Sequence, residues 1–324
     1  MMAECAVAQY AVTGAAGFIG SHLVDTLLSR GHQVKGLDDL STGRIDNLDP
    51  RCRLIMGDVS DPGSVREALD GVDGCFHLAA IASVQRANEA WLGTNRVNLA
   101  GTITVLDTAR KLGGIPVVYA SSAAVYGDLG TGIAHEDSLP APLTAYGADK
   151  LGSELHARVA FLVHGVPTLG LRFFNVYGPR QDPSSSYSGV ISIFARRIAR
   201  GLPITIHGAG DQVRDFVHVG DVVEHLTSAM NHVTRRPGAT VLNVCTGRGT
   251  SIKELARLLG EIERCKPQIM VSAPRPGDIR HSIGDPSLAI SLLGVSATTE
   301  LREGLETIAA RREEKALVRA AAGH

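Results

Sequence analysis

An excess of charge of either sign is missing from this chain: 32 lysines and arginines stand against 33 aspartates and glutamates, for a net charge of -1. That balance gives no basic surface for nucleic acid or an anionic membrane, although positive residues can still gather around an anionic ligand. Cysteine is sparse as well. The five (Cys5, Cys52, Cys75, Cys245 and Cys265) are scattered, with no C-x-x-C pair. Several lie in apolar, strand-like runs, where a free cysteine packs as a small hydrophobe. The pattern argues against a disulfide framework and suits a reducing cytoplasm. The twelve histidines make no metal-ligand cluster, so no metal is expected. No apolar run approaches the about 20 residues that span a bilayer. No basic segment followed by a long apolar core opens the chain, so no signal peptide is expected. Internal repeats and low-complexity segments are absent too. What remains is an ordinary globular composition, 44% hydrophobic and 20% charged, over 324 residues. That length suits two domains or one large one.

The stretch that organises the rest is Tyr10-Ala-Val-Thr-Gly-Ala-Ala-Gly-Phe-Ile-Gly20. It reads as a short strand running into a helix, with Gly14, Gly17 and Gly20 at the junction. Gly14 permits a tight turn, Gly17 lets the backbone approach a pyrophosphate, and Gly20 lets the helix pack closely on the sheet. The helix end, with Phe18 and Ile19, then faces the phosphates with free N–H groups. Leu23, Val24, Leu27 and Leu28 supply an apolar face, Gly31 ends the helix, and Gln33 to Leu37 runs as a strand into Asp38. An acidic residue about 20 positions beyond the glycines is placed to grip a ribose diol, and to repel a 2′-phosphate. The combination points to dinucleotide binding, with NAD favoured over NADP; Arg44 is near enough in sequence to blunt that preference.

Strands and helices alternate through the first half. Arg53 to Asp58 is a strand, and Asp58-Val59 meets either an adenine edge or a strand-end turn. Ser64 to Leu69 is a short helix. Gly74 to Ala80 is a buried strand ending in Ala79 and Ala80, small enough for a cofactor to lie across; His77 within it reads as a core histidine. Thr94 to Leu112 is a long amphipathic helix, with Asn98 reaching a neighbouring loop, and Ile115 to Ala120 is the next strand. Repeated strand–helix–strand units require right-handed crossovers, hence a doubly wound parallel sheet with ligands at the carboxyl ends of its strands. Tyr146 to His164 is a helix and Val166 to Phe174 a strand. From Gly178 the rhythm breaks into turns and short elements. Ser251 carries a capping box with Glu254. The expected fold is α/β, a doubly wound parallel-sheet Rossmann fold with a smaller α/β substrate-binding lobe. The first domain takes residues 1–172, with 215–245 returning to it; the lobe takes 173–214 and 246–324.

Tyr146 and Lys150 are four apart on a predicted helix and share one face. A free tyrosine has a pKa of about 10 and is a poor base at neutral pH; a nearby ammonium lowers it. Ser121-Ser122 ends a strand, where one hydroxyl can bridge the tyrosine and a substrate hydroxyl.

With these residues the chain resembles an extended short-chain dehydrogenase/reductase, and within that group a UDP-hexose 4-epimerase. The matching stretches cover nearly the whole length: Thr13 to Gly20, Ser121 to Gly127, Tyr146-Gly-Ala-Asp-Lys150, Leu171 to Pro179, Arg214 to Val219 and Arg275-Pro-Gly-Asp-Ile-Arg280. The resemblance implies a catalytic trio of Ser122, Tyr146 and Lys150, with Phe173 beside the nicotinamide. It places Asn175, Arg214, Arg275 and Asp278 on the uridine diphosphate part, with Val190 also among the substrate contacts. It implies hydride loss from C4 to NAD, rotation of a 4-keto sugar, and hydride return to its other face. A homodimer paired through the helices Thr94–Leu112 and Tyr146–His164 is implied as well. Ser282 falls at a pocket-wall position where a bulky aromatic restricts such enzymes to plain hexoses and a small residue admits an acetamido group. UDP-N-acetylglucosamine interconverting with UDP-N-acetylgalactosamine is therefore the expected substrate pair, with UDP-glucose and UDP-galactose also open. Two rivals remain. A nucleotide-sugar 4,6-dehydratase or decarboxylase needs an extra acid or base, and the dehydratases' acidic pair is replaced here by Ala123 and Ala124. A non-catalytic dinucleotide-binding sensor would typically lose the Tyr146/Lys150 pair.

Overall fold

Runs of fully buried residues, such as Gly74-Cys-Phe-His77, form strands that must be covered on both faces, and a parallel sheet provides that cover. The computed structural model describes residues 7–83, 87, 89–182, 189–274 and 279–322, with side chains as far as 312. The strands in chain order begin β1 (Gln9–Thr13), β2 (Gln33–Asp38), β3 (Arg53–Met56), β4 (Gly74–His77), β5 (Val117–Ser122) and β6 (Thr168–Phe173). There follow β7 (Asn175–Tyr177), β8 (Ile204–His207), β9 (Val213–His218), β10 (Ala239–Val244), β11 (Gly249–Ser251), β12 (Ile269–Ser272) and β13 (His281–Ser282). Among the described residues seven of them make one sheet, in the order β10-β6-β5-β4-β1-β2-β3. Every pairing in it is parallel, and the order reverses at β1/β4, where a doubly wound sheet opens its crevice.

Each face of the sheet has its own core. On one, Leu23, Val24 and Leu27 of α1 (Phe18–Ser29) meet Val222, Leu226 and Met230 of the Val219–Arg235 helix. On the other, Val65 and Leu69 of the Pro62–Leu69 helix meet Val105 and Leu106 of the Gly101–Lys111 helix and Ala157 and Ala160 of the Ala145–His164 helix. Local chemistry fixes the ends. Asp61 accepts from the Ser64 amide just ahead of Pro62, Thr144 accepts from the Gly147 amide, and Gly165 ends that helix at φ +69°. Ser251 accepts from the Glu254 amide to start the Ile252–Ile262 helix.

The long helix expected over Thr94 to Leu112 is not uniform. The Trp91–Asn95 helix passes through a π-helical turn, Arg96–Ala100, before continuing as Gly101–Lys111. One extra residue per turn there aims Asn98 at the chain beyond β4: its Oδ1 accepts from the Ile81 amide at 2.8 Å and its Nδ2 donates to the Ile81 carbonyl at 3.2 Å. Beyond β6, the short strands β7, β9, β11 and β13 form a second sheet, and β12 pairs with β8. Ile191, Phe194, Ile204, Leu255 and Leu305 close a separate core there. β10 and the Val219–Arg235 helix lie with the main sheet, although β9, which immediately precedes that helix, lies with the second.

Candidate active site

β1 leaves the sheet at Gly14, whose φ of +70° is natural for glycine alone. A Cβ there would stand 2.8 Å from the Ala79 amide nitrogen, so the loop rests on the end of β4, with Ala80 half-buried beside it. At Gly20 a Cβ would come within 2.0 Å of the Gly14 carbonyl oxygen. The close contact expected between helix and sheet is thus made by the helix with the glycine loop itself. Gly17 differs. It caps α1 without a side-chain hydrogen bond, and a Cβ on it would meet only the Gly14 carbonyl, at 3.1 Å. The opening N–H groups of a helix have no partner within it, and here, with Phe18 and Ile19 half-buried, Gly17 offers them no side-chain cap. Asp38 closes the other side: Oδ2 accepts from the Ala16 amide at 2.9 Å and Oδ1 from the Leu40 amide at 2.8 Å. Burial pushes its pKa up and those two N–H bonds pull it back. An open helix N-terminus and a carboxylate held against the loop fit the pyrophosphate and ribose of a dinucleotide.

Asp58 makes a strand-end turn, its Oδ1 accepting from the Ser60 amide at 2.8 Å, and this bond leaves Oδ2 for an adenine edge. Val59 is buried in the core, where a Cβ on Gly101 would lie 2.8 Å from its Cγ1. His77 is a core histidine. Thr13 Oγ1 accepts from the Leu78 and Ala79 amides, so its proton goes to His77 Nδ1, at 2.8 Å, and His77 Nε2–H donates to Thr102 Oγ1, at 3.0 Å. Burial, then the charge of Lys150, pushes His77 down to about 3 and keeps it neutral.

At the carboxyl end of β5 the two serines part company. Ser121 is buried and donates to Glu154 Oε1 at 2.5 Å. Ser122 faces the other way: its Oγ accepts from the Ala124 amide at 3.2 Å, and it stands near enough to the Tyr146 phenol to favour its ionised form. In register beside it across the sheet is Phe173. Lys150 is 3% exposed. Its Nζ donates to the Ala120 carbonyl at 2.9 Å and lies 5.8 Å from the Tyr146 ring centre. Burial lowers it to about 8, against the opposing pull of Asp149 and Glu154. The lowered phenol pKa expected from the sequence is not what the geometry gives. Burial raises Tyr146, and the group that opposes burial is Ser122.

The substrate-side residues come together in part. Arg214 of β9 is in register with Ser282 of β13, and Asn175 of β7 pairs with Phe216 on the same strand. Ser282 lines a small cavity with Ala123, Tyr126 and Phe174. Val190 opens the Val190–Ala199 helix, half-buried against the core of the second sheet. Arg275 and Asp278 lie outside the described residues. Asp215 was not singled out by the sequence. It is wholly buried, and its carboxylate accepts from Thr246 (amide and hydroxyl) and from the amides of Gly247 and Gly284. It therefore holds the chain just beyond Ser282. Burial raises its pKa against those four bonds. Its signal, an acid in the middle of an apolar strand, was visible but gave no partner.

Among the described residues no three His, Cys, Asp or Glu side chains converge to hold a metal ion, and no helix is long and apolar enough to cross a membrane. Known proteins resemble the chain in sequence and in fold. The chain is 36% identical, over 91% of its length and 95% of the relative's, to a UDP-glucose 4-epimerase of Mycolicibacterium smegmatis. The Thermus thermophilus UDP-glucose 4-epimerase, solved with NAD, superposes with a TM-score of 0.86 at 34% identity, covering 93% of this chain and 97% of that one. A UDP-N-acetylglucosamine 4-epimerase from Methanobrevibacter ruminantium, in complex with UDP-N-acetylmuramic acid, gives 0.90 at 29% identity, over 95% and 99%. Residues 10–245 match the model of a single family. With its glycine loop, its doubly wound sheet and these relatives, the chain belongs to the NAD dependent epimerase/dehydratase family, and NAD is its cofactor.

Proposed function

We propose that the protein epimerises C4 of a UDP-hexose through a 4-keto intermediate. The observation that carries the reading is the gathering of Ser122, Tyr146 and Lys150 at the carboxyl end of β5, with the Lys150 Nζ on the Ala120 carbonyl and 5.8 Å from the Tyr146 ring centre. NAD, held by Gly17, the start of α1, Asp38 and Lys150, supplies the hydride acceptor and donor when bound. Tyr146 takes the proton of the 4-hydroxyl, directly or through Ser122, and returns it. Ser122 favours the phenolate against the cost of burial. Asn175 and Arg214, with Arg275 and Asp278, hold the nucleotide while the sugar turns; a guanidinium fork suits diphosphate oxygens. Proton NMR of the purified protein with UDP-glucose and UDP-N-acetylglucosamine side by side tests the reading; absence of turnover on either sinks it. Tighter binding of NADPH than of NADH would contradict the role given to Asp38.

The finer reading is UDP-N-acetylglucosamine and UDP-N-acetylgalactosamine as the preferred pair. It is supported by Ser282, a small hydroxyl side chain in register with Arg214 and bordering the cavity beside Ala123. A homodimer is supported by apolar residues exposed on the outer helices: Trp91, Leu92, Leu155, Val159, Leu162 and Val163. Light scattering that returned a monomer at micromolar concentration would contradict it. The free Cys52, Cys75, Cys245 and Cys265 fit a cytoplasmic location.

A further inference from the structure

Two carboxylates flank Lys150 on its own helix. Asp149 Oδ1 accepts from Asn95 Nδ2 at 2.6 Å, and its other oxygen has no partner. Glu154, one turn beyond Lys150, is fully engaged. Its Oε1 accepts from Ser121 Oγ at 2.5 Å and from Arg172 Nε at 2.9 Å, and its Oε2 from Arg172 Nη2 at 2.7 Å. The two side chains of that ion pair are 5% and 6% exposed. Arg172 continues the chain of bonds. Its Nη1 donates to the Tyr126 hydroxyl at 2.9 Å and to the Glu136 carbonyl at 3.1 Å. Tyr126 in turn donates to Asn243 Oδ1 at 2.6 Å. The path starts on the helix of Tyr146 and Lys150, passes behind Ser121-Ser122 and ends at Tyr126, which borders the same cavity as Ser282.

Resting on the epimerase reading above, we propose that Glu154 is a positioning residue: by gripping Ser121 and Arg172 it fixes the catalytic helix against the end of β5, so that Tyr146 keeps its place beside Ser122 and Tyr126 keeps its place in the cavity wall. The reason is geometric. A bidentate carboxylate–guanidinium pair fixes orientation as well as distance. Ser121 is bonded to Ser122, so any slip of one moves the other. A displacement of an ångström at a reacting group costs on the order of 100-fold in rate. The charged and titratable groups around Lys150 are Tyr146, Asp149 and Glu154 on its helix and His77 on β4.

The test uses the full chain with NAD. Glu154→Gln is expected to lose on the order of 100-fold in kcat on UDP-N-acetylglucosamine, with KM nearly unchanged. Ser121→Ala, a milder change that keeps the ion pair, is expected to lose about tenfold with an unchanged melting temperature. The double variant Glu154→Gln/Arg172→Met removes both buried charges, and should recover melting temperature without recovering kcat. Ionisation of the Tyr146 phenol is followed by its ultraviolet difference spectrum against Tyr146→Phe. It should move to higher pH in Glu154→Gln and in the double variant, because Ser122, which offsets burial at the phenol, is displaced from it. That spectrum is readable in a protein that turned over no UDP-sugar, so failure of the epimerase reading leaves this test standing. A kcat that returns together with the melting temperature, or a Tyr146 titration unmoved in both variants, overturns the proposal.

Discussion

The two ends of the site are made of different materials. At the dinucleotide end the working parts are backbone: Gly14 folded back on Ala79, Gly20 against Gly14, the bare start of α1, and one carboxylate, Asp38, pinned to the amide of Ala16. At the substrate end they are side chains from β5, the Ala145–His164 helix, β9 and β13, brought together by the topology of two sheets. A backbone site is sensitive to added atoms and, apart from Asp38, has no group that titrates. A side-chain site has the opposite sensitivities, since it tolerates changes of shape in places and depends throughout on who carries the proton.

The contrast can be pressed from both sides. Tyr146→Phe removes a proton acceptor and little volume. It should lower turnover about 100- to 10,000-fold while leaving UDP-sugar binding measurable by calorimetry; wild-type turnover in this variant would remove Tyr146 from its role. Gly20→Ala at the other end puts a methyl within 2.0 Å of a carbonyl oxygen and should cost about 3 kcal/mol of stability, read as a lower melting temperature with loss of bound NAD. Gly17→Ala sharpens the distinction, because its Cβ meets only one atom, at 3.1 Å. The fold should survive while NAD affinity falls at least about tenfold, a result that would place the open space where the pyrophosphate lies. If both alanines melted alike, the separation of packing from approach among these glycines would fail.

Ser282→Tyr addresses the substrate end by bulk. Turnover of UDP-N-acetylglucosamine should fall about tenfold or more, while UDP-glucose and UDP-galactose are spared. Equal loss on both classes, or a wild-type enzyme that strongly prefers UDP-glucose, would refute the gate. The smallest effect is on stability. His77 is held at about 3 when folded, below its ordinary 6.5, so the unfolded chain binds the proton first. Its contribution is fully present above pH 6.5 and is lost as the pH falls from there towards 3. Between pH 6.5 and 5.5 the loss should be about 1 kcal/mol, seen in denaturant midpoints. His77→Gln should flatten that slope in part, since burial also lowers His22, His218 and His225.

The same contrast explains how much was legible beforehand. Gly14, Gly17, Gly20 and Asp38 announce themselves because a backbone site is written as spacing along one short stretch. Tyr146 and Lys150 are legible because a helix puts residues four apart on one face. The choice between Ser121 and Ser122 is not legible, since it depends on which side of β5 Glu154 occupies. The Arg172 pairing, the hold of Asp215 on Gly284 and the alignment of Ser282 with Arg214 are contacts between distant segments that no local pattern encodes. The π-helical turn at Arg96–Ala100 escapes for another reason: one added residue leaves the apolar periodicity around it nearly intact.

β10 has a consequence for how the chain is made. Its partner in the main sheet is β6, and residues 174–238 come between them, including strands that belong to the second sheet. A nascent chain that has emerged only to Gly238 holds six strands of the main sheet and presents β6 as an open, apolar edge. Folding cannot then proceed one lobe after the other. The long-range closure by β10 is slow relative to local helix formation, and until it happens the edge is open to pairing with other chains. Truncations before residue 239 should accordingly accumulate as aggregates, and synthesis that stalls in this stretch should call on chaperones more than stalling after Val244.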